Sequence, residues 1–285
     1  MNDQSYVRRL ARTSGSNFYY SFLFLPRAQR EAIQAVYAFC RAVDDSVDQA
    51  KGAQEASRQI AFWRAELAAC GSEDADPPAH PITRTLAVHM RRYPIQRRHL
   101  EEIIDGVAMD VVPRRYRTFE DLREYCHRVA SAVGLVCIEI FGYREDSARE
   151  YAVALGLAFQ LTNILRDVRD DAAMGRVYLP VEEMARFGCG EQDLEARRPS
   201  AGFIDLMKFE AARAHGLFNL ARSIFPARDR RTLFAAEIMG AIYEAILDEI
   251  ERRGFDVLST RVTLSRPRKL AIASRLYLRS RLSAP

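Results

Sequence analysis

Apolar residues recur at steps of three and four along almost the whole of this 285-residue chain, and no stretch alternates as a half-buried strand would. From Arg27 to Gln49 the repeat runs through Ile33, Val36, Tyr37, Cys40, Val43 and Val47, behind a proline, Pro26, suited to starting a helix. Further helices are expected at 53–70, 82–92 and 96–112, the last two parted at Pro94. Thr118 and Asp121 are spaced as an N-terminal capping arrangement for a helix to about 140. Beyond it the pattern predicts helices over 147–174, 181–187, 201–224, 229–252 and 267–281. GSEDADPPAH at 71–80 and GRVYLP at 175–180 break the pattern. GLVCIEIFGY at 134–143 would pass for a strand out of context. No shift in composition marks a linker, so the expectation is a single all-α domain over residues 1–285.

Hydrophobic residues make up 48% and charged residues 28%, which suits a soluble globular protein with a sizeable core. A net charge of +4 is too mild to argue for nucleic acid, and aromatic and basic residues do not interleave. Cys40, Cys70, Cys126, Cys137 and Cys189 are odd in number and scattered, which argues for a reducing compartment and against a zinc site. The N-terminus MNDQSYVRRLARTSG has no apolar core of signal-peptide length. The longest apolar runs, 132–142 and 152–165, fall short of the ~20 residues a span needs, and the expected location is cytoplasmic. From Val257 to Pro285 there are seven basic residues (Arg261, Arg266, Arg268, Lys269, Arg275, Arg279 and Arg281) and no acidic one. Leu270, Ile272, Leu276 and Leu278 are interleaved with them. This segment reads either as a solvated helix face or as a peripheral contact with anionic lipid.

Two of the expected helices carry an unusual polar line. Tyr37, Arg41, Asp44 and Asp48 stand at i, i+4, i+7 and i+11, one stripe three turns long. Gln160, Asn163, Asp167 and Asp171 stand at i, i+3, i+7 and i+11 on the later helix, again one stripe, each ending in Asp-x-x-x-Asp. Either stripe alone could be a solvent-facing side. But both helices are apolar around most of their circumference, and like charges four residues apart disfavour their own helix. Two matching lines therefore point to a shared internal cavity holding something positive. Arg41, Arg166 and Arg169 are at hand for ion pairs. Clustered aspartates without His or Cys suit Mg²⁺, with Mn²⁺ as the alternative, which takes few carboxylates and fills its shell with water and phosphate oxygens. The arginines then serve as clamps on the same anion, and the reading is a Mg²⁺–diphosphate site.

Other segments add to it. Gly156, one turn before Gln160, is expected to leave room for something bulky, and so are Ala130, Ser131, Ala132 and Gly134 beside Tyr125 and His127. GRVYLP returns Arg176 and Tyr178 towards the end of the aspartate helix, where a loop could close over diphosphate. SGSNFYYSFLFLP at 14–26 brings serines and aromatics, most of the latter expected to be core.

YAFCRAVDDSVD, YCHRVASAVGL and LAFQLTNILRDVRDDAAMGRVYLP, in that order, resemble the signature blocks of the squalene/phytoene synthase family from about Ser14 to beyond Tyr243. The resemblance implies an isoprenoid-synthase-type helical fold with a central cavity and head-to-head (1′-1) joining of two prenyl diphosphates. It assigns Asp44, Asp48, Asp167 and Asp171 to Mg²⁺, with Asn163 among the ligands, and Tyr125 to the cavity as a catalytic residue. Tyr37, Arg41, Gln160, Asn163, Arg176 and Tyr178 fall near the diphosphates, where Arg166 is read as a further anion clamp from its place beside Asp167, and Ser14 and Ser16 align with a substrate-contacting serine. Where the family often has Gly-Glu-Asp, this chain has Arg169-Asp170-Asp171. RVASAVGLVCIEIFGYR is most similar to bacterial presqualene diphosphate synthases of hopanoid pathways.

The chemistry so implied starts with metal and arginines stabilising a departing diphosphate. The allylic cation is kept from water by an apolar wall, the 2,3-double bond of a second farnesyl diphosphate attacks, and proton loss closes a cyclopropane. Phytoene, dehydrosqualene and full squalene synthases share every residue named and are the alternatives. Chain-elongating prenyltransferases and terpene cyclases typically lack the tyrosine block. A non-catalytic lipid-binding helical scaffold would have no need of both aspartate pairs. Whether NADPH reduction follows is left open, although no glycine-rich nicotinamide fingerprint is present.

Overall fold

The expected helices form, because their apolar stripes have one another to bury against. The computed structural model describes residues 2–13, 18–71, 76–195 and 199–282. In chain order the helices are α1 (Asp3–Thr13), α2 (Phe18–Phe22), α3 (Arg27–Asp48), α4 (Ala53–Ala69), α5 (Pro81–Arg92), α6 (Arg97–Ala108) and α7 (Phe119–Cys126). They continue as α8 (Ala132–Phe141), α9 (Ser147–Ala173), α10 (Val181–Arg186), α11 (Glu191–Leu194), α12 (Ala201–Ser223), α13 (Phe234–Arg252) and α14 (Arg266–Leu282). A lone bridge, Arg115 to Val177, stands in place of any sheet among the described residues. No described helix is long and apolar enough to cross a membrane.

Local chemistry explains the ends. Thr118 and Asp121 form a reciprocal capping box, Thr118 accepting from Asp121 N and Asp121 from Thr118 N at 2.9 Å. GLVCIEIFGY is helical rather than a strand, and it stops at Gly142, whose φ of 80° ends the helix in the left-handed region. Two boundaries differ from expectation by more than two residues. α6 stops at Ala108, four residues early, and turns the following segment so that Asp110 lines a cavity. α13 begins at Phe234 instead of 229, because Asp229 accepts the amides of Arg144 (2.9 Å) and Glu145 (3.0 Å) and so belongs to a tie between loops.

α9 runs through the middle, packed against α8, α12 and α13, while α3 lies against α1, α4, α5, α6 and α8. Between α7 and α8 the chain makes one π turn, His127–Ser131. Gly156 of α9 meets this turn, where a Cβ would stand 2.6 Å from Ser131 Cα and 2.7 Å from Ser131 N, so its missing side chain admits a neighbouring backbone, while the glycine also lines an apolar hollow. Ser131 and Ala132 are fully buried, Ser131 Oγ donating to the Val153 carbonyl at 2.9 Å, so these small residues also serve packing. Gly156→Ala is therefore expected to lower unfolding free energy by about 1–3 kcal/mol through backbone displacement. Denaturant melts check this, and an unchanged midpoint would show that the π turn yields freely.

Candidate active site

Both polar stripes face one cavity of about 590 Å³. Asp44 and Asp48 enter it from α3, and Gln160, Asn163, Asp167 and Asp171 from α9. The turn after α9 brings its far end across, since Arg176 Nη1 donates to Asp48 Oδ1 at 2.7 Å. That turn is anchored in its own right. Val181 N donates to the Tyr116 carbonyl (2.9 Å), and Arg213 of α12 holds Glu183 of α10 and the fully buried Glu210.

One aspartate in each stripe is ion-paired with an arginine and the other is not. Asp48 is taken by Arg176, and Asp167 is clamped by Arg166 at 2.8 and 2.5 Å and by Arg261 at 2.8 and 3.1 Å. Asp44 and Asp171 form no ion pair among the described residues. The carboxyl groups titrate accordingly. Burial, then Asp48, pushes Asp44 up to about 7, and burial, then Asp167, pushes Asp171 up to about 7. At Asp167 burial also pulls upward, but the bonds from Arg166 and Arg261 prevail and hold it below the usual carboxylate range. Arg41 lines the cavity yet pairs sideways with Asp45 at 2.6 Å.

A carboxylate that sequence reasoning missed completes the ring. Asp110, in the turn after α6, accepts the hydroxyl of Tyr125 at 2.8 Å, and that hydroxyl lies 3.2 Å from the hydroxyl of Tyr178. The rings of Tyr125 and Tyr178 stack at 5.0 Å, with Tyr116 beside them at 5.6 and 6.1 Å. Burial raises the phenol pKa values of Tyr125 and Tyr178, so these groups donate protons in hydrogen bonds and do not serve as bases at neutral pH. Asp110 itself is raised by burial. Asp110→Asn is expected to cut turnover roughly tenfold while keeping the fold, because the tyrosine pair loses its charged acceptor. Steady-state rates beside thermal melts check this.

The C-terminal segment also enters the site. Arg261, Val262, Thr263, Leu264 and Lys269 line the cavity, although in the sequence these residues read only as a basic tail. Lys269 is buried without a carboxylate partner among the described ion pairs, its Nζ 5.6 Å from the Tyr20 ring centroid. Burial, with Arg166 and Arg266 after it, lowers its pKa. Arg169, the departure from the family pattern, turns out of the cavity and donates to the carbonyls of Leu258 (3.2 Å) and Ser259 (2.8 Å), fastening this segment to α9. Ser14 and Ser16 lie outside the described residues.

A second, mainly apolar hollow of about 290 Å³ adjoins the first, sharing Tyr37, Arg41, Asp44, Gln160, Asn163 and Tyr243 with it. Phe22, Val36, Ala130, Val133, Phe141 and Met239 form its walls, with Phe159 stacked on Tyr243 at 4.4 Å. The pair of cavities is a polar chamber opening onto a greasy one, the shape required by an ionic head on an apolar chain.

The donor set fits a hard divalent cation. Every candidate ligand is a carboxylate or amide oxygen, and Asn163 Oδ1 is buried without a hydrogen-bond partner while its amide nitrogen donates to Gln160 at 3.3 Å. The carboxylates ring the chamber, and among the described residues no three of them bring oxygens within 4.8 Å of one another.

The family profile described as squalene/phytoene synthase matches residues 11–268. A 15-cis-phytoene synthase of Synechococcus elongatus is 37% identical over 283 residues, covering 92% of this chain and 88% of the relative. A presqualene diphosphate synthase of Rhodopseudomonas palustris is 37% identical over 259 residues, covering 90% and 91%. The crystal structure of a dehydrosqualene synthase with bound ligand superposes with a TM-score of 0.86 at 28% identity, over 98% of this chain and 97% of that one.

Proposed function

The chain belongs to the squalene/phytoene synthase family, a family of prenyltransferase-type enzymes, and we propose that it condenses two farnesyl diphosphates head to head into presqualene diphosphate. The observation that carries this reading is the junction of two acidic stripes, each with one aspartate not ion-paired with an arginine, over an apolar hollow. Asp44, Asp48, Asp167, Asp171 and Asn163 would hold Mg²⁺, which when bound neutralises charge on the diphosphate leaving group.

The chain's own residues do the rest. Arg176, Arg166, Arg261 and Lys269 gather cationic charge around the leaving diphosphate as the donor's C1–O bond breaks. Tyr125 and Tyr178, tied to Asp110, form a rigid stack at the edge of the chamber that fixes where the headgroup rests. Phe22, Phe141 and Phe159 keep water from the allylic cation. The 2,3-double bond of the second substrate then attacks C1, and loss of one proton closes the cyclopropane. With the tyrosines held protonated, the released diphosphate is the better proton acceptor. Ser14 and Ser16 stay assigned to substrate contact by resemblance alone.

A second reading, phytoene synthesis from C20 diphosphates, is favoured by the phytoene synthases among the relatives. Incubation of the purified protein with C15 or C20 diphosphate and Mg²⁺, with and without NADPH, separates the readings by product mass. The presqualene reading requires a C30 diphosphate ester from C15 substrate and no change of skeleton with NADPH. Product from C20 alone would replace it with the second reading.

A further inference from the structure

We infer that Asp45 is a positioning residue that draws Arg41 aside and so leaves Asp44 open to a cation. Arg41, Asp44 and Asp45 lie close together on α3. A helical residue meets its neighbours both three and four positions on, so Arg41 can pair with either aspartate. With about 100° between successive residues, Asp44 stands roughly 60° to one side of Arg41 and Asp45 roughly 40° to the other. Asp45 prevails. Arg41 Nη2 stands 2.6 Å from Asp45 Oδ1, and no ion pair joins Arg41 to Asp44 among the described residues.

The two sides of Arg41 open onto different cavities. Asp44 lines the polar chamber and the apolar hollow. Asp45 lines neither, and belongs to a separate cavity of about 440 Å³ walled by Tyr6, Trp63 and His80. Arg41 lines all three. Its guanidinium thus hangs over the partition, held outward by a carboxylate that has no place in the chamber. Burial and Asp48 act on the Asp44 carboxyl more strongly than Arg41 does, as expected of a guanidinium turned away.

The same relation recurs across the chamber. Arg176 is the cation whose charge reaches Asp171, and it is bonded to Asp48 at 2.7 Å. Each unpaired aspartate therefore has a nearby arginine already held by another carboxylate. Asp45 differs from Asp48 in standing outside the chamber, so it can be changed without removing a candidate metal ligand. An ion pair with side chains 52% and 32% exposed contributes little to stability. Its consequence lies in what it leaves unpaired. Without Asp45, Arg41 falls back on Asp44, and an arriving cation has to displace it. The inference rests on the reading of the chamber as a divalent-cation site, and holds whichever prenyl diphosphate the chamber takes.

The test is Mn²⁺ binding to the full chain, followed by the electron paramagnetic resonance of free Mn²⁺. Binding that Asp44→Asn abolishes belongs to the chamber. Asp45→Asn is expected to weaken that binding about fivefold without lowering the thermal midpoint of the metal-free protein. Asp45→Glu, whose carboxylate still reaches Arg41, should bind as the native chain does. In an Arg41→Gln background, Asp45→Asn should change the affinity less than about twofold, because no guanidinium is left to fall back. Native affinity in Asp45→Asn would overturn the inference. So would an equal loss in both backgrounds, since the missing charge alone would then account for it. Binding that survives Asp44→Asn intact would overturn the cation reading of the chamber itself, and the inference with it.

Discussion

Asp44→Asn and Asp171→Asn are each expected to cut turnover by a factor of about 10²–10³ while the metal-free protein melts no lower than the native one. Both effects come from the same feature. These aspartates form no ion pair among the described residues, so their charge is held in the chamber at a cost that Arg41 and Arg176 offset only in part. Removing it relieves the repulsion from Asp48 and Asp167 that helps push both carboxyl groups up to about 7. Asp167→Asn should behave differently, because it strands Arg166, which is held at 2.8 and 2.5 Å, beside Arg261. An unpaired, half-buried guanidinium costs stability, so this variant should lose both turnover and melting temperature. Steady-state rates and metal-free melts on the three variants distinguish these outcomes. Near-native turnover in both Asp44→Asn and Asp171→Asn would remove the basis for a metal at this place.

The second large effect is a stability whose dependence on pH is strongest when metal is absent. The ordinary pKa of Asp44 and Asp171 is 3.8, and in the folded protein both stand at about 7. Between these values the folded chain binds protons that the unfolded chain has released, so stability falls as pH rises through this window. The contribution is complete below the unfolded value and gone above the folded one. Glu210, pushed up to about 8 by burial and then by Glu183, acts in the same direction. Asp167 acts in the opposite one, its contribution lost as pH falls through its depressed pKa. Metal-free protein is therefore expected to melt higher at about pH 5.5 than at about pH 8. Saturating Mg²⁺ should remove most of that difference, because binding ionises Asp44 and Asp171 and releases their protons. Melts with and without Mg²⁺, beside titrations in buffers of differing ionisation enthalpy, read the effect and the proton count. A slope of the same size with and without Mg²⁺ would mean that the cation does not meet these carboxyl groups.

The stripes on α3 and α9 are legible in the sequence because a helix turns a spacing of three or four directly into a line of side chains. The chamber between them follows from the contrast of each stripe with its apolar surroundings. Asp110 is not legible, since it sits in a turn just past a helix end, where no periodicity fixes its direction. Arg261 and Lys269 escape notice for a related reason. Their charge is obvious, but it takes the ties from Arg169 to Leu258 and Ser259 and from Arg261 to Asp167, across some ninety positions, to bring their segment to the cavity. Gly156 serves both uses of a missing side chain, contact with the Ser131 backbone and a place in the wall of the hollow, and only the fold shows the first. GLVCIEIFGY shows the limit of pattern itself, as a run buried on all sides has no period to read.

The most direct measurement is an anomalous difference map from crystals soaked with Mn²⁺ and inorganic diphosphate. The account predicts peaks inside the polar chamber, about 2.1 Å from carboxylate oxygens of both α3 and α9, with the diphosphate between them and Arg176, Arg261 and Lys269. Peaks confined to the surface cluster of His215, Asp248 and Glu251, with the chamber holding water alone, would contradict it.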